Sequence, residues 1–241
     1  PEFKIVSGIS TGALTAPIAF MGSEYDDLLR EFYTTVETES ILQQLSLFTI
    51  LFQSESFAST APLKKLLDRY FDKDFLRKIA DRHNQGYRLY IGTHHMDAQR
   101  LVVWNMGLIA NSDHPDAPEL FRKVVLASAS IPIAFPPVMI KSEVDGVTYD
   151  EMHVDGGVSV QVFFYAGTID ISAAIAAAAE ETNLEDMPKN RGDLYIIRNG
   201  QLSSQPEQIP RELSEITSRA VDSMIKISAV GDLYRIYSFA Q

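Results

Sequence analysis

Near the start of the chain the apolar pair Ile5-Val6 runs through Ser7 into Gly8-Ile9-Ser10-Thr11-Gly12, and small residues beginning with Ala13-Leu14 follow. The order predicts a strand, a sharp turn and a helix. A serine at such a turn is held in a strained backbone conformation, and glycines are expected on both sides because a Cβ at either would meet the neighbouring strand or helix. The turn pushes the side chain outward. A helix that opens at Thr11 aims its first N–H groups and the positive end of its dipole at the same spot, which favours negative charge on a reacting carbonyl oxygen. Ser10 is therefore the candidate nucleophile, with Gly8, Thr11 and Gly12 as its elbow. A serine hydroxyl attacks poorly until a base takes its proton, so the site needs a second half from elsewhere in the chain.

The candidate base is Asp155. Two strands, about 137–141 and 147–154, are predicted around a turn at Asp145-Gly146, and they deliver the chain to Asp155-Gly156-Gly157. The carboxylate then lies at a strand's C-terminal end, and the glycines let other backbone come close. An aspartate in that place also serves as a plain turn residue, so spacing alone leaves its role open. His153 belongs on the same face of the strand as Asp155, which makes a histidine-assisted triad with Asp97 or Asp116 an alternative.

Three segments in order resemble the patatin-like phospholipase family. They are Gly8-Ile9-Ser10-Thr11-Gly12-Ala13-Leu14, the run Ala127-Ser128-Ala129-Ser130-Ile131-Pro132 continuing to Phe135-Pro136-Pro137-Val138, and His153-Val154-Asp155-Gly156-Gly157. Asp97-Ala98-Gln99-Arg100 with Trp104 is similar to bacterial members, and the resemblance extends to about Arg198. It implies a three-layer α/β/α sandwich with a central, mostly parallel sheet, and lipid acyl hydrolysis by a Ser-Asp dyad. Ser10 matches the family's nucleophile and Asp155 its aspartate, supported by Gly156 and Gly157. The family's glycine-rich oxyanion loop precedes the nucleophile strand. Residues 1–241 are accordingly expected to be a single patatin-like domain cut at its N-terminus and, where relatives continue with another strand, at its C-terminus.

The remaining chain fits that frame. Helices are predicted over 12–20 with Pro17 bending it or in its opening turns, over 25–35 after a Ser23-Glu24 cap, from Pro62 to 71, and from an Asp74 cap to 83. Strands are predicted over 87–93 and 99–104, with His94 and His95 in the turn between them, then a helix over 118–129. The prolines of 128–138 are expected to fix a stiff, extended path beside an apolar cleft. An alanine-rich helix over 170–180, a buried strand over 193–198 and one or two helices over 211–237 complete the prediction. Ile41 to Phe52 has almost no polar face; it reads as a buried helix or as an apolar flap that meets acyl chains, and favours a long-chain lipid ester.

The chain carries 32 acidic against 21 basic residues, a net charge of −11, which excludes nucleic acid as a partner and makes any peripheral membrane contact apolar. It has no cysteine, so disulfides and thiol chemistry are excluded. No cofactor is expected: adjacent His94 and His95 point to opposite faces and do not converge on one metal ion, and no calcium loop is present. The composition fits a bacterial chain, and leaves soluble, envelope-associated and secreted locations open, as it does oligomeric state. A lipid-binding or scaffold protein that keeps the elbow without turnover is the alternative from another functional class.

Overall fold

The computed structural model describes residues 2–35, 60–132, 135–163, 193–200, 203 and 206–239. The strand that leads into the elbow, β1 (Ile5–Gly8), runs parallel to β2 (Arg88–His95), with Gly8 beside Ile91. On its other edge β2 pairs antiparallel with β3 (Arg100–Asn105). Beyond the end of β1, residues 93–95 of β2 pair antiparallel with β5 (Val147–Asp155), which forms a hairpin with β4 (Val138–Val144). The hairpin turn is Asp145-Gly146, as predicted, with φ values of 53° and 77° that suit the twist of the flanking strands. Where a mostly parallel sheet is predicted, the described strands form a mixed one, since three of their four pairings are antiparallel.

Alternation along β2 divides the interior. Leu89 and Ile91 face one way, into a core with Ala13 and Phe20 of α1 (Thr11–Met21), Ile79 of α4 (Lys73–Asn84) and Phe121 and Val124 of α6 (Ala117–Ser128). Tyr90 faces the other way, against Ile9, Val160 and Phe163. Burying each large apolar side chain contributes about 1.5–3 kcal/mol, so β2, covered on both faces, is the best-anchored strand of the sheet. Thr93 and His95 continue the first face beyond the helices.

The other helices are α2 (Asp26–Thr35), α3 (Ala61–Tyr70), α5 (Met106–Ala110) and α7 (Leu213–Phe239). Pro17 sits buried inside α1. The cap of α4 is Asp72, whose carboxylate accepts the Phe75 N–H at 2.8 Å; Asp74 lies in the first turn and pairs with Arg77 instead. His94 and His95 are the last residues of β2, not part of a turn. The Phe135 N–H donates to the Ile131 carbonyl at 2.9 Å, within the run for which an extended path is predicted. Residues 193–198 form no strand, and Leu194 to Ile197 are exposed: an apolar run makes a ladder only where an edge is open to it. Ile41–Phe52 and the alanine-rich 170–180 lie outside the described residues. Among the described residues no helix is long and apolar enough to cross a membrane.

Close packing of α1 on β1 explains one elbow glycine and not the other. A Cβ on Gly8 would collide with the Gly12 carbonyl oxygen and come within 2.8 Å of the Ala16 Cβ, both fixed parts of α1. A Cβ on Gly12 would meet nothing within 4 Å, so the clash predicted there does not exist. Gly8→Ala is therefore expected to lower stability by about 1–3 kcal/mol or more. Gly12→Ala is expected to leave it unchanged or up to about 1 kcal/mol higher, because alanine suits a helix better. Urea melts of the two variants check the asymmetry.

Candidate active site

Ser10 occupies φ 58°, ψ −125°, left-handed backbone that costs a non-glycine residue about 1–3 kcal/mol. Parallel pairing with β2 holds the chain on its N-terminal side, and α1 begins at the next residue. The carbonyls of Ile9 and Ser10 accept the N–H groups of Gly12 and Ala13 at 2.8 and 2.9 Å, which closes the turn. The strain thus has a mechanical origin: a strand packed on one face and a helix packed against it leave a single residue to reverse direction.

The second half arrives on β5. Asp155 stands opposite Thr93 of β2 and is 4% exposed. Its Oδ1 accepts the Gly157 N–H at 2.7 Å. A Cβ on Gly156 would lie 2.5 Å from the Gly92 carbonyl oxygen, so only glycine lets β5 end this close to β2. The other oxygen, Oδ2, is buried without a hydrogen-bond partner, and the Ser10 hydroxyl is near enough to the carboxylate to favour its charged form.

The run between them joins both halves. Ser128, fully buried at the end of α6, accepts the Ser10 backbone N–H at 3.1 Å and donates its own proton to the Gly92 carbonyl at 2.7 Å. Two residues on, the Ser130 carbonyl accepts the Asp155 N–H at 2.9 Å, while its hydroxyl is tied back to Leu126. One turn of chain thus registers the strand before Ser10 against the strand that carries Asp155. These serines are missed as site residues by motif matching; the signal was two hydroxyls in an apolar segment, which must find partners when buried. Asn199 is also missed: its side-chain N–H donates to Thr11 Oγ1 at 3.1 Å, at the rim of the elbow.

His153 is fully buried on the predicted face, but its Nδ1 lies 2.9 Å from Thr93 Oγ1 and its Nε2 3.2 Å from Glu151 Oε2. Burial holds its pKa below the ordinary imidazole value. Of the acids named as its partners, Asp97 accepts the Met152 N–H at 3.2 Å, and Asp116 stands at the start of α6.

Burial pushes the Asp155 carboxyl up to about 6, against the Ser10 hydroxyl and the Gly157 N–H, which both favour the charged form. At pH 7 about nine-tenths of it is ionised while its basicity is well above that of a free aspartate.

A strand–serine–helix elbow faces a buried aspartate on a mixed sheet between helices, an arrangement of the α/β class. The sequence profile described as patatin-like phospholipase matches residues 1–164, and the chain belongs to that family. The family is one of hydrolases that act on lipid esters. Among curated proteins none matches the chain.

The raised Asp155 pKa has a cost in stability. A carboxyl that titrates higher in the folded state favours folding below the unfolded pKa of about 4, and that contribution is lost as the pH rises through about 6. Asp155→Asn, which cannot ionise, is expected to be about 1–3 kcal/mol more stable than the parent at pH 8 and equal to it near pH 4. Urea melts at the two pH values measure this; equal stability at pH 8 would mean that the carboxylate is not desolvated.

Proposed function

We propose that this protein is a lipid acyl hydrolase of the phospholipase A type, cleaving carboxylic esters through a dyad of Ser10 and Asp155. The observation that supports it most is the pairing of a strained, outward-turned serine with an aspartate whose Oδ2 is buried and unpartnered while its pKa is raised to about 6. In this reading Ser10 Oγ attacks the ester carbonyl carbon as Asp155 Oδ2 takes the hydroxyl proton. The tetrahedral oxyanion forms beside the N-terminal end of α1 at Thr11, where the helix dipole favours negative charge. Collapse expels the alcohol, which leaves with the proton from Asp155, and an acyl-serine remains. Water then attacks the acyl carbon, giving a proton to Asp155, and collapse of that adduct releases the fatty acid as the proton passes from Asp155 back to Ser10 Oγ.

The Gly157 N–H on Oδ1 supports this division of labour. It fixes the carboxylate by one oxygen and leaves the other for the proton. The engagement of both His153 nitrogens by Thr93 and Glu151 weighs against a histidine triad. The net charge of −11 makes electrostatic attraction to anionic lipid unfavourable, so contact with a membrane is proposed to be peripheral and apolar.

Ser10→Ala and Asp155→Asn are each expected to reduce hydrolysis of a short-chain aryl ester by about 10³-fold or more, with folded structure retained. For the parent, kcat/KM is expected to rise about tenfold per pH unit below about 6 and level off above it, following the ionised aspartate. Persisting turnover in Asp155→Asn, or a profile flat from pH 5 to 8, would remove Asp155 as the base.

A further inference from the structure

Two residues upstream of Asp155, the strand pairing gathers a second group of side chains. Antiparallel register sets His95 of β2 opposite His153 of β5, and their rings stack with centroids 5.0 Å apart. Glu151 shares that face. Its Oε2 lies 3.2 Å from His153 Nε2 and 3.8 Å from His95 Nδ1, and one ligand atom from each residue falls within 4.8 Å of the others. We propose that His95, Glu151 and His153 bind a divalent transition-metal ion, zinc fitting best, which ties β2 to β5 beside the aspartate.

The outer atoms of all three residues are already held. His95 presents Nε2 to the Asp97 carboxylate at 3.5 Å, leaving Nδ1 directed at Glu151. His153 Nδ1 lies 2.9 Å from Thr93 Oγ1, a hydroxyl that Trp104 Nε1 fixes at 2.8 Å. Glu151 accepts the Ser142 hydroxyl on Oε1 at 2.6 Å, leaving Oε2 for the centre. Histidine ligands that give their second N–H to a carboxylate or other oxygen are the ordinary outer arrangement of a metal site. Here both histidines face such an oxygen.

Hydrogen bonding alone accounts for part of the cluster only. Without a cation, Thr93 can donate to His153 Nδ1, and His153 Nε2–H to Glu151. His95 Nδ1 is then left over: it is buried with no hydrogen-bond partner, on a side chain only 10% exposed. A cation supplies that partner. With bonds of about 2.1 Å, tetrahedral ligands lie about 3.4 Å apart, close to the 3.2 and 3.8 Å spacings already present. Two imidazoles and one carboxylate suit zinc, while calcium and magnesium prefer sets of oxygen ligands. The expectation of no metal rested on His94 and His95 diverging, which they do: His94 bonds Ser159 on the opposite face. The second histidine comes from another strand.

The test is titration of the chelator-stripped full chain with Zn²⁺ alone, by calorimetry and by metal analysis after gel filtration. One Zn²⁺ per chain is expected, with Tm raised by about 5–10 °C at a hundredfold excess over Kd. Glu151→Gln, a near-isosteric change, is expected to weaken binding by about 100-fold or more, and the largely exposed Asp97→Asn by about 10-fold. Co²⁺ should give the visible absorption of a low-symmetry nitrogen and oxygen site in the parent and lose it in Glu151→Gln. Failure of the stripped parent to retain Zn²⁺, or undiminished affinity in Glu151→Gln, overturns the proposal. The readouts are metal binding and melting, so either result leaves the Ser10–Asp155 reading as it stands.

Discussion

Ser128 and Ser130, at the end of α6, are bonded to the two chain segments that matter most. One hydroxyl takes the Ser10 N–H and reaches Gly92 of β2; one carbonyl takes the Asp155 N–H. Ser10 and Asp155 are separated by more than half of the chain, and their strands are not neighbours along their whole length. β1 pairs with the first half of β2 and β5 with its last three residues, so the two halves of the site meet across a step in the sheet. The α6 turn fills that step. Its hydrogen bonds are buried, where leaving one partner unsatisfied costs about 1–3 kcal/mol, and the relative position of serine and aspartate is correspondingly stiff.

That stiffness sustains two unfavourable states at once. Ser10 keeps a left-handed backbone, and Asp155 keeps a carboxylate in a place that raises its pKa to about 6. Neither would survive in a loose loop, since each relaxes with a small backbone shift. Packing of α1 on Gly8 and of β5 on Gly92 removes that freedom. The chain after Gly157 is secured as well: buried Asp232 of α7 accepts the N–H groups of Gln161 and Val162 at 2.6 and 3.3 Å. Stability given up at the site is thus offset by ordinary core packing around it.

Much of this was legible in the sequence because it is local. The elbow, the helix after it, the β4–β5 hairpin and the strand that delivers Asp155 follow from short-range pattern and turn chemistry. The helix starting near Pro62 and the one spanning 117–128 do too. What escaped depends on partners distant in the chain. Gly12 reads like Gly8, but only the packing angle of α1 decides which glycine is crowded. The apolar run 193–198 has strand composition and no ladder in the described structure. Asp72 and Asp74 are equivalent cap candidates until the φ/ψ of the entry turn selects one. His95, Glu151 and His153 become neighbours only through the register of β2 on β5, which a single sequence does not display.

In the proposed mechanism Ser10 is an activated nucleophile served by Asp155. Labelling with a fluorophosphonate, followed by peptide mass spectrometry, tests it most directly, because stable phosphonylation requires an attacking serine oxygen and no turnover. A single adduct is expected on Ser10, absent in Ser10→Ala, slowed by orders of magnitude in Asp155→Asn, and forming more slowly as the pH falls below about 6. An adduct on another serine, or labelling of Ser10 at the same rate in Asp155→Asn, would contradict it.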